Sequence, residues 1–255
     1  MVIAKKQKEV VERKKLEEPK KDEDDFPPKF RSLLDNFIDL KDSDPTLTDQ
    51  EIQATTDNFI GAGQETTALT TILMLVMLGS HPDVQNKLLE ELNHIFGDSN
   101  RNVNKEDLEL MHYTEAVILE TLRMYPIVPL MMRQADSDLE LDGCTIPDGT
   151  SVVIFAWGAC RSTRNWGEDA AEFKPERWLD LDQPNPALFC AFSYGKRSCL
   201  GRRYALSFLK TVLAHTIRSL VIKSDANKLK FQLNIAIHPV EGHHIEVEHR
   251  THVMT

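Results

Sequence analysis

The segment Phe192-Ser193-Tyr194-Gly195-Lys196-Arg197-Ser198-Cys199-Leu200-Gly201 runs into a helical pattern, in which Ala205, Phe208, Leu209, Val212, Leu213, Ile217 and Leu220 recur three and four residues apart. It reads as a glycine-hinged loop that delivers one cysteine to the start of an apolar helix. The free N–H groups of a helix N-terminus favour a thiolate, so Cys199 is placed as a soft, anionic ligand. Gly195 and Gly201 bracket it, as suits a backbone that turns sharply while something bulky presses against it.

Lys196, Arg197, Arg202 and Arg203 crowd the positive end of the same helix, where the macrodipole disfavours cations. An anion is therefore expected beside them, either the acid groups of a cofactor or an acidic partner. An isolated cysteine is more simply read as a small buried hydrophobe. The flanking pattern F-x-x-G-x-R-x-C-x-G reverses that preference, because it resembles the haem-binding loop of the cytochrome P-450 family of haem-thiolate monooxygenases. The resemblance implies haem (iron protoporphyrin IX) as cofactor, Cys199 as the metal ligand, and Phe192, Gly195, Arg197 and Gly201 as further cofactor-binding positions. The fold it implies is mainly α with a small β-sheet.

Composition is consistent with this reading. A chain of 255 residues with 41% hydrophobic content buries a sizeable core, and one domain is favoured over two. A formal net charge of −10 argues against nucleic acid as a partner, since phosphate binding needs a basic field. Cysteines stand at 144, 160, 190 and 199 without C-x-x-C pairs, so neither a zinc site nor a disulfide framework is suggested, and a reducing compartment fits. The longest apolar stretch, 72–78, falls far short of a membrane span, and no anchor is expected within the chain.

In chain order, residues 1–25 carry eight Lys or Arg and eight Asp or Glu before the Pro27-Pro28 break, as in a solvated helix tail followed by a linker. Phe30, Leu33, Leu34, Phe37 and Ile38 outline a short amphipathic helix that stops near Asp44-Pro45. Thr48-Asp49-Gln50-Glu51 is a capping box, and the helix it opens meets no stop until Gly79. Its second half is apolar on every side, which predicts burial all round. Gly61-Ala62-Gly63-Gln64-Glu65-Thr66-Thr67 interrupts this pattern, and two interior glycines alone cost about 2 kcal/mol against alanine. Small residues for helix packing would explain it, and so would the close approach of a flat ligand. Beside the cysteine loop, the segment resembles the family's oxygen-binding motif. That resemblance implies Ala62 and Gly63 against the cofactor, with Glu65 and Thr66 as the catalytic pair that manages proton delivery.

Val84, Leu88, Leu89, Leu92, Ile95 and Phe96, behind Pro82 and before Gly97, make an ordinary amphipathic helix. A helical turn over 104–110 and a helix over 113–124 follow. In the latter, Glu120 and Arg123 stand i, i+3 amid Ala116, Val117, Ile118, Leu119 and Leu122. On the surface such a pair is worth little, whereas in apolar surroundings the two charges must be paired. Glu120-Thr121-Leu122-Arg123 resembles the family's E-x-x-R motif and Pro175-Glu176-Arg177-Trp178 its P-E-R-F motif, which implies that Glu120, Arg123 and Arg177 form a structural triad. Strands are expected over 139–141, 144–146 and 151–155, joined by turns at Asp142-Gly143 and Pro147-Asp148-Gly149 into one small sheet. Arg133 is either an exposed edge cation or, by resemblance, a contact to a haem propionate. Met131 and Met132, with Val128 and Leu130, suit either the substrate side or the core.

The resemblance runs from Thr48 onward and lies nearest the family-4-like clan, with Trp178 in place of the usual phenylalanine and Cys160-Arg161 where many members have His-Arg. The chain divides in this reading into 1–46, a charged tail, linker and short helix, and 47–255, a single incomplete haem-thiolate domain. The resemblance implies an apolar small-molecule substrate, O2, an NADPH-dependent flavoprotein reductase as electron donor, and the cytosolic face of the endoplasmic reticulum membrane. The matched motifs belong to the C-terminal half of such proteins, so a fragment lacking the N-terminal anchor is expected. Two other functions compete, a haem-binding remnant without turnover and a cysteine hydrolase, and the latter lacks an oriented Cys-His-acid pattern.

Overall fold

The computed structural model describes residues 5, 6, 8–10, 12, 31–44, 46–179 and 187–250. Most of the charged stretch 1–25, together with Pro27, Pro28, Phe30 and Pro45, lies outside the described residues. The chain forms two compact units, 1–65 and 66–255. The division falls inside a helix, where exposed residues at 61–65 give way to the buried Leu69 and Thr70.

In the first unit, α1 (Leu33–Ser43) opens on a capping box in which the Ser32 hydroxyl accepts from the Asp35 N–H and the Asp35 carboxylate accepts from the Ser32 N–H. The next helix, α2 (Asp49–Ser80), begins on the predicted box, with the Thr48 N–H donating to Glu51 Oε2 at 2.8 Å and the Glu51 N–H donating to Thr48 Oγ1 at 3.2 Å. It is α-helical throughout its 32 residues, glycines included. By length and composition α2 would pass for a membrane-crossing helix, but Leu73, Met74, Val76, Met77 and Leu78 are buried in the core of the second unit. Burial in the second half is one-sided rather than all round, since Ile72 and Leu75 are only partly buried, and residues 61–65 are exposed.

The second unit continues with α3 (Pro82–Phe96), stopped by Gly97 at φ +53°, then α4 (Lys105–Leu110) and α5 (His112–Met124). Helix α5 is capped from outside: the Glu91 carboxylate of α3 accepts from the N–H groups of Tyr113 and Thr114 and from the Thr114 hydroxyl. That cap supplies the acceptors that Met111 and His112 do not offer at a helix start. Strand β1 (Leu130–Gln134) follows, then β2 (Leu139–Leu141), β3 (Cys144–Ile146) and β4 (Ser151–Phe155). Short helices α6 (Ala156–Ala159) and α7 (Thr163–Trp166) lead past the cysteine loop to α8 (Arg202–Ser219), and β5 (Leu220–Lys223), β6 (Lys230–Leu233), β7 (Ile237–Glu241) and β8 (Glu246–His249) end the chain. The core lies among the end of α2, α3, α5 and α8. Leu209, Leu213 and Ile217 carry the stripe of α8 into it, each contributing roughly 1.5–3 kcal/mol through burial.

Among the described residues the strands form four antiparallel pairs, β1 with β4, β2 with β3, β5 with β8 and β6 with β7. The three strands expected over 139–155 therefore do not make one sheet. Asp142 and Gly143, at φ +52° and +80°, close β2 on β3 as a hairpin. After the Pro147–Gly149 turn, the Gly149 N–H donates to the Ala135 carbonyl and the Ala135 N–H to the Thr150 carbonyl, so the chain zips β4 onto β1 instead. Between α3 and β5 stands Gln85, which is buried. Its Oε1 accepts from the Ile222 N–H at 3.0 Å, while its Nε2 donates to the carbonyls of Ile222 and Leu78 at 2.9 and 3.0 Å.

Candidate functional site

Backbone hydrogen bonds close the cysteine loop. A 3-10 turn over Cys190–Phe192 leads to Ser193 at φ +59°, and Gly195 at φ +76° opens a second turn, Gly195–Arg197. These reversals bring the Cys199 N–H to the Phe192 carbonyl at 2.8 Å and the Ser198 N–H to the Gly195 carbonyl at 3.1 Å. Glycine at 195 is required by its φ. Ser193 holds a left-handed conformation that costs a non-glycine residue on the order of 1 kcal/mol.

The thiol of Cys199 is exposed beside the N-terminus of the 18-residue α8. Of the other cysteines, Cys160 is buried and its thiol is pushed up to about 11 by that burial; burial also raises the Cys190 thiol, and Cys144 lies on β3. Among the four, only Cys199 combines access with a helix terminus that favours the anion. Side chains around it suit a flat, largely apolar group with acid substituents. Leu200, Tyr204 and Phe208 fall four residues apart and are 83%, 79% and 43% exposed, and Tyr194 in the loop is exposed as well. A Cβ on Gly195 would meet nothing within 4 Å, and one on Gly201 would meet only the Cys199 sulfur, at 3.9 Å. No protein atom presses on these glycines, then, and Gly201 leaves open the space next to the sulfur. Cys199 is the thiol that this loop would offer to a group bound there. The residues present fit haem.

Arg133 and Arg197 are exposed cations. Arg133 donates to the Met132 carbonyl at 2.7 Å and, at 3.5 Å, reaches Ser193 Oγ, which ties β1 to the cysteine loop. Phe192 is half-buried, with the Arg202 guanidinium 5.5 Å from its ring centre. Lys196, Arg202 and Arg203 are all exposed. On α2, Ala62, Gly63 and Glu65 are exposed residues of the first unit, and beyond the helix's own adjacent backbone nothing lies within 4 Å of a Cβ built on Gly61 or Gly63. Thr66 begins the second unit, and its carbonyl accepts the Thr70 hydroxyl at 2.7 Å.

The structure brings Glu120, Arg123 and Arg177 together as one network. Glu120 and Arg123 have fully buried side chains and pair at 2.8 and 2.9 Å through both carboxylate oxygens. Arg123 spends its remaining N–H groups on the carbonyls of Cys160, Ala170 and Glu172. Arg177 Nε and the Lys174 N–H donate to Glu120 Oε1, at 2.9 and 3.0 Å. Sequence reasoning missed a fifth donor: the Trp178 indole N–H, 2.9 Å from Glu120 Oε2. Its only signal was tryptophan, which carries an N–H, at a position where phenylalanine is usual. Two charges taken out of water in this way are tolerable only because the donors and acceptors are matched.

A sequence model of the cytochrome P-450 family matches residues 2–244. The chain is 34% identical over 227 residues to cytochrome P-450 4V2 of Rattus norvegicus, an alignment covering 87% of this chain and 43% of the relative. It is also 34% identical over 226 residues to cytochrome P-450 4g15 of Drosophila melanogaster, covering 86% of this chain and 39% of the relative. The chain thus spans less than half the length of the curated relatives it matches.

Proposed function

Because the chain belongs to the cytochrome P-450 family, whose cofactor is haem held by a cysteine thiolate, we propose that it serves a monooxygenase that inserts one atom of O2 into an apolar organic substrate and releases the other as water. The observation that carries this reading is the exposed thiol of Cys199 beside the N-terminus of α8, within a loop closed by its own backbone. Haem, when bound, supplies the redox-active iron that activates oxygen. Cys199 would hold that group, Phe192, Gly195 and Gly201 would shape the loop against it, and Arg133 and Arg197 would offer cations to its acid groups. Leu130 and Met132, exposed on β1 opposite Phe155 and Val153 of β4, supply apolar surface for a lipid, sterol or xenobiotic substrate. The test is the absorption of the haem-loaded ferrous chain under carbon monoxide: thiolate ligation gives a strongly red-shifted band, and its absence would overturn the reading.

Two roles follow for other residues. Glu65 and Thr66 carry a carboxylate and a hydroxyl on consecutive positions of α2, as proton delivery to a reacting oxygen requires. Thr66→Ala is expected to keep haem binding while diverting reducing equivalents from NADPH to peroxide, measured as peroxide formed per NADPH consumed; an unchanged ratio would make the motif architectural. Lys196, Arg202 and Arg203 form an exposed basic face on the thiolate side of a chain whose net charge is −10. We assign that face to an acidic electron donor, an NADPH-dependent flavoprotein reductase, on the cytosolic side of the endoplasmic reticulum membrane. Charge reversal at these positions is expected to slow reduction and flatten its salt dependence in stopped-flow kinetics. Reduction by the unaltered chain at a rate independent of salt would remove the docking role.

A further inference from the structure

We infer that Trp178 is a positioning residue for Cys199, acting through a chain of ring contacts that starts at the buried Glu120 carboxylate; this rests on Cys199 being the haem ligand. Trp178 is buried, and its indole N–H is fixed to Glu120 Oε2 at 2.9 Å. Its ring meets Phe189 edge-on, with centroids 4.9 Å apart and planes at 71°, and Phe189 meets Phe192 at 6.2 Å and 69°. The carbonyl of Phe192 is the acceptor for the Cys199 N–H. The links run in order from carboxylate to indole, to two phenyl rings, to the peptide that holds the cysteine.

The physical content lies in the asymmetry of the indole. A phenylalanine ring can fill similar space, but it flips between equivalent orientations and has no donor. The N–H bond to a carboxylate that is itself immobilised by Arg123, Arg177 and the Lys174 N–H leaves the Trp178 ring one orientation. Edge-to-face contact depends on the planes of both rings, so fixing the first restricts Phe189 and, through it, Phe192. The buried charge network thereby reaches the loop through these rings. Arg202 over the outer face of Phe192 completes the clamp.

Hydrogen exchange of the Cys199 amide reads this directly and needs neither haem nor turnover. In the haem-free 255-residue chain, Trp178→Phe is expected to speed exchange at Cys199 by about tenfold while the amides of Leu213 and Ile217 in α8 keep their protection, the pattern of a local opening. Phe189→Leu, which leaves the indole–carboxylate bond in place, is expected to produce the same local increase. Unchanged exchange at Cys199 in either variant, or a rise shared equally by Leu213 and Ile217, would overturn the positioning role. In the haem-loaded chain under carbon monoxide, Trp178→Phe should shift intensity from the red-shifted thiolate band to the unshifted one. If the unaltered chain shows no thiolate band, the proposed function fails, while the exchange measurement still decides the coupling.

Discussion

Cys199→Ala is expected to abolish the red-shifted carbon monoxide band of the ferrous, haem-loaded chain altogether, not to weaken it. The band requires a thiolate on iron, and no other cysteine is placed to substitute. Cys160 is buried and held as a neutral thiol, its pKa pushed up to about 11; burial raises the Cys190 thiol too, and Cys144 sits on a separate hairpin. Stability should barely change. The Cys199 side chain is exposed, and its contribution to closing the loop is a backbone N–H that alanine retains, so the change should lie within about 0.5 kcal/mol. Denaturation together with the spectrum separates the two effects: an unaltered melting transition with no thiolate band is the expected pair. A band that survives in Cys199→Ala would move the ligand elsewhere and remove the basis of the proposed function.

Arg123→Ala should have the largest effect on folding of any single substitution in the helical core. The side chain is fully buried, and alanine would remove both bonds to Glu120 as well as three bonds to carbonyls on the segment 160–172. Glu120 would remain buried with its closest counter-charge gone, and breaking one side of a buried pair costs about 3–5 kcal/mol. Against a domain stability of about 5–15 kcal/mol, that is a large fraction of the folding free energy. Arg123→Lys would keep the charge but not the planar fork that serves a carboxylate and three carbonyls together, and should fall between the two. Urea titration followed by circular dichroism gives the ordering directly. A midpoint for Arg123→Ala equal to that of the unaltered chain would show that the network is dispensable.

Much of the site could be read from residue order because its parts are local. The cysteine loop is a ten-residue turn whose closing bond spans only Phe192 to Cys199, and its glycine at 195 has the positive φ that the pattern demands. The Thr48 capping box, the Asp142-Gly143 hairpin and the stop at Gly97 were legible for the same reason. Burial along α2 was not, because apolarity predicts a need for cover rather than its extent: beyond Ile52 the helix is next buried at Leu69, and Ile72 and Leu75 are covered only in part. The pairing of β4 with β1 depended on a turn at Pro147–Gly149 that redirects the chain past its nearest neighbour, which alternation alone does not record. Trp178 was seen as a departure from a pattern, but its meaning depended on a carboxylate 58 residues away.

Gln85 has a further consequence. In β5 the N–H and C=O of Ile222 point away from the ladder with β8, as the backbone of an outermost strand must, and would present a template to any extended peptide. The Gln85 amide occupies both groups at once, donor against carbonyl and carbonyl against donor, as a neighbouring strand would. One side chain from α3 thus serves as a one-residue strand and seals that edge at Ile222 from within the molecule. A second molecule meeting this face finds its pairing sites already taken, so strand-by-strand assembly through β5 is blocked at that point before it can begin.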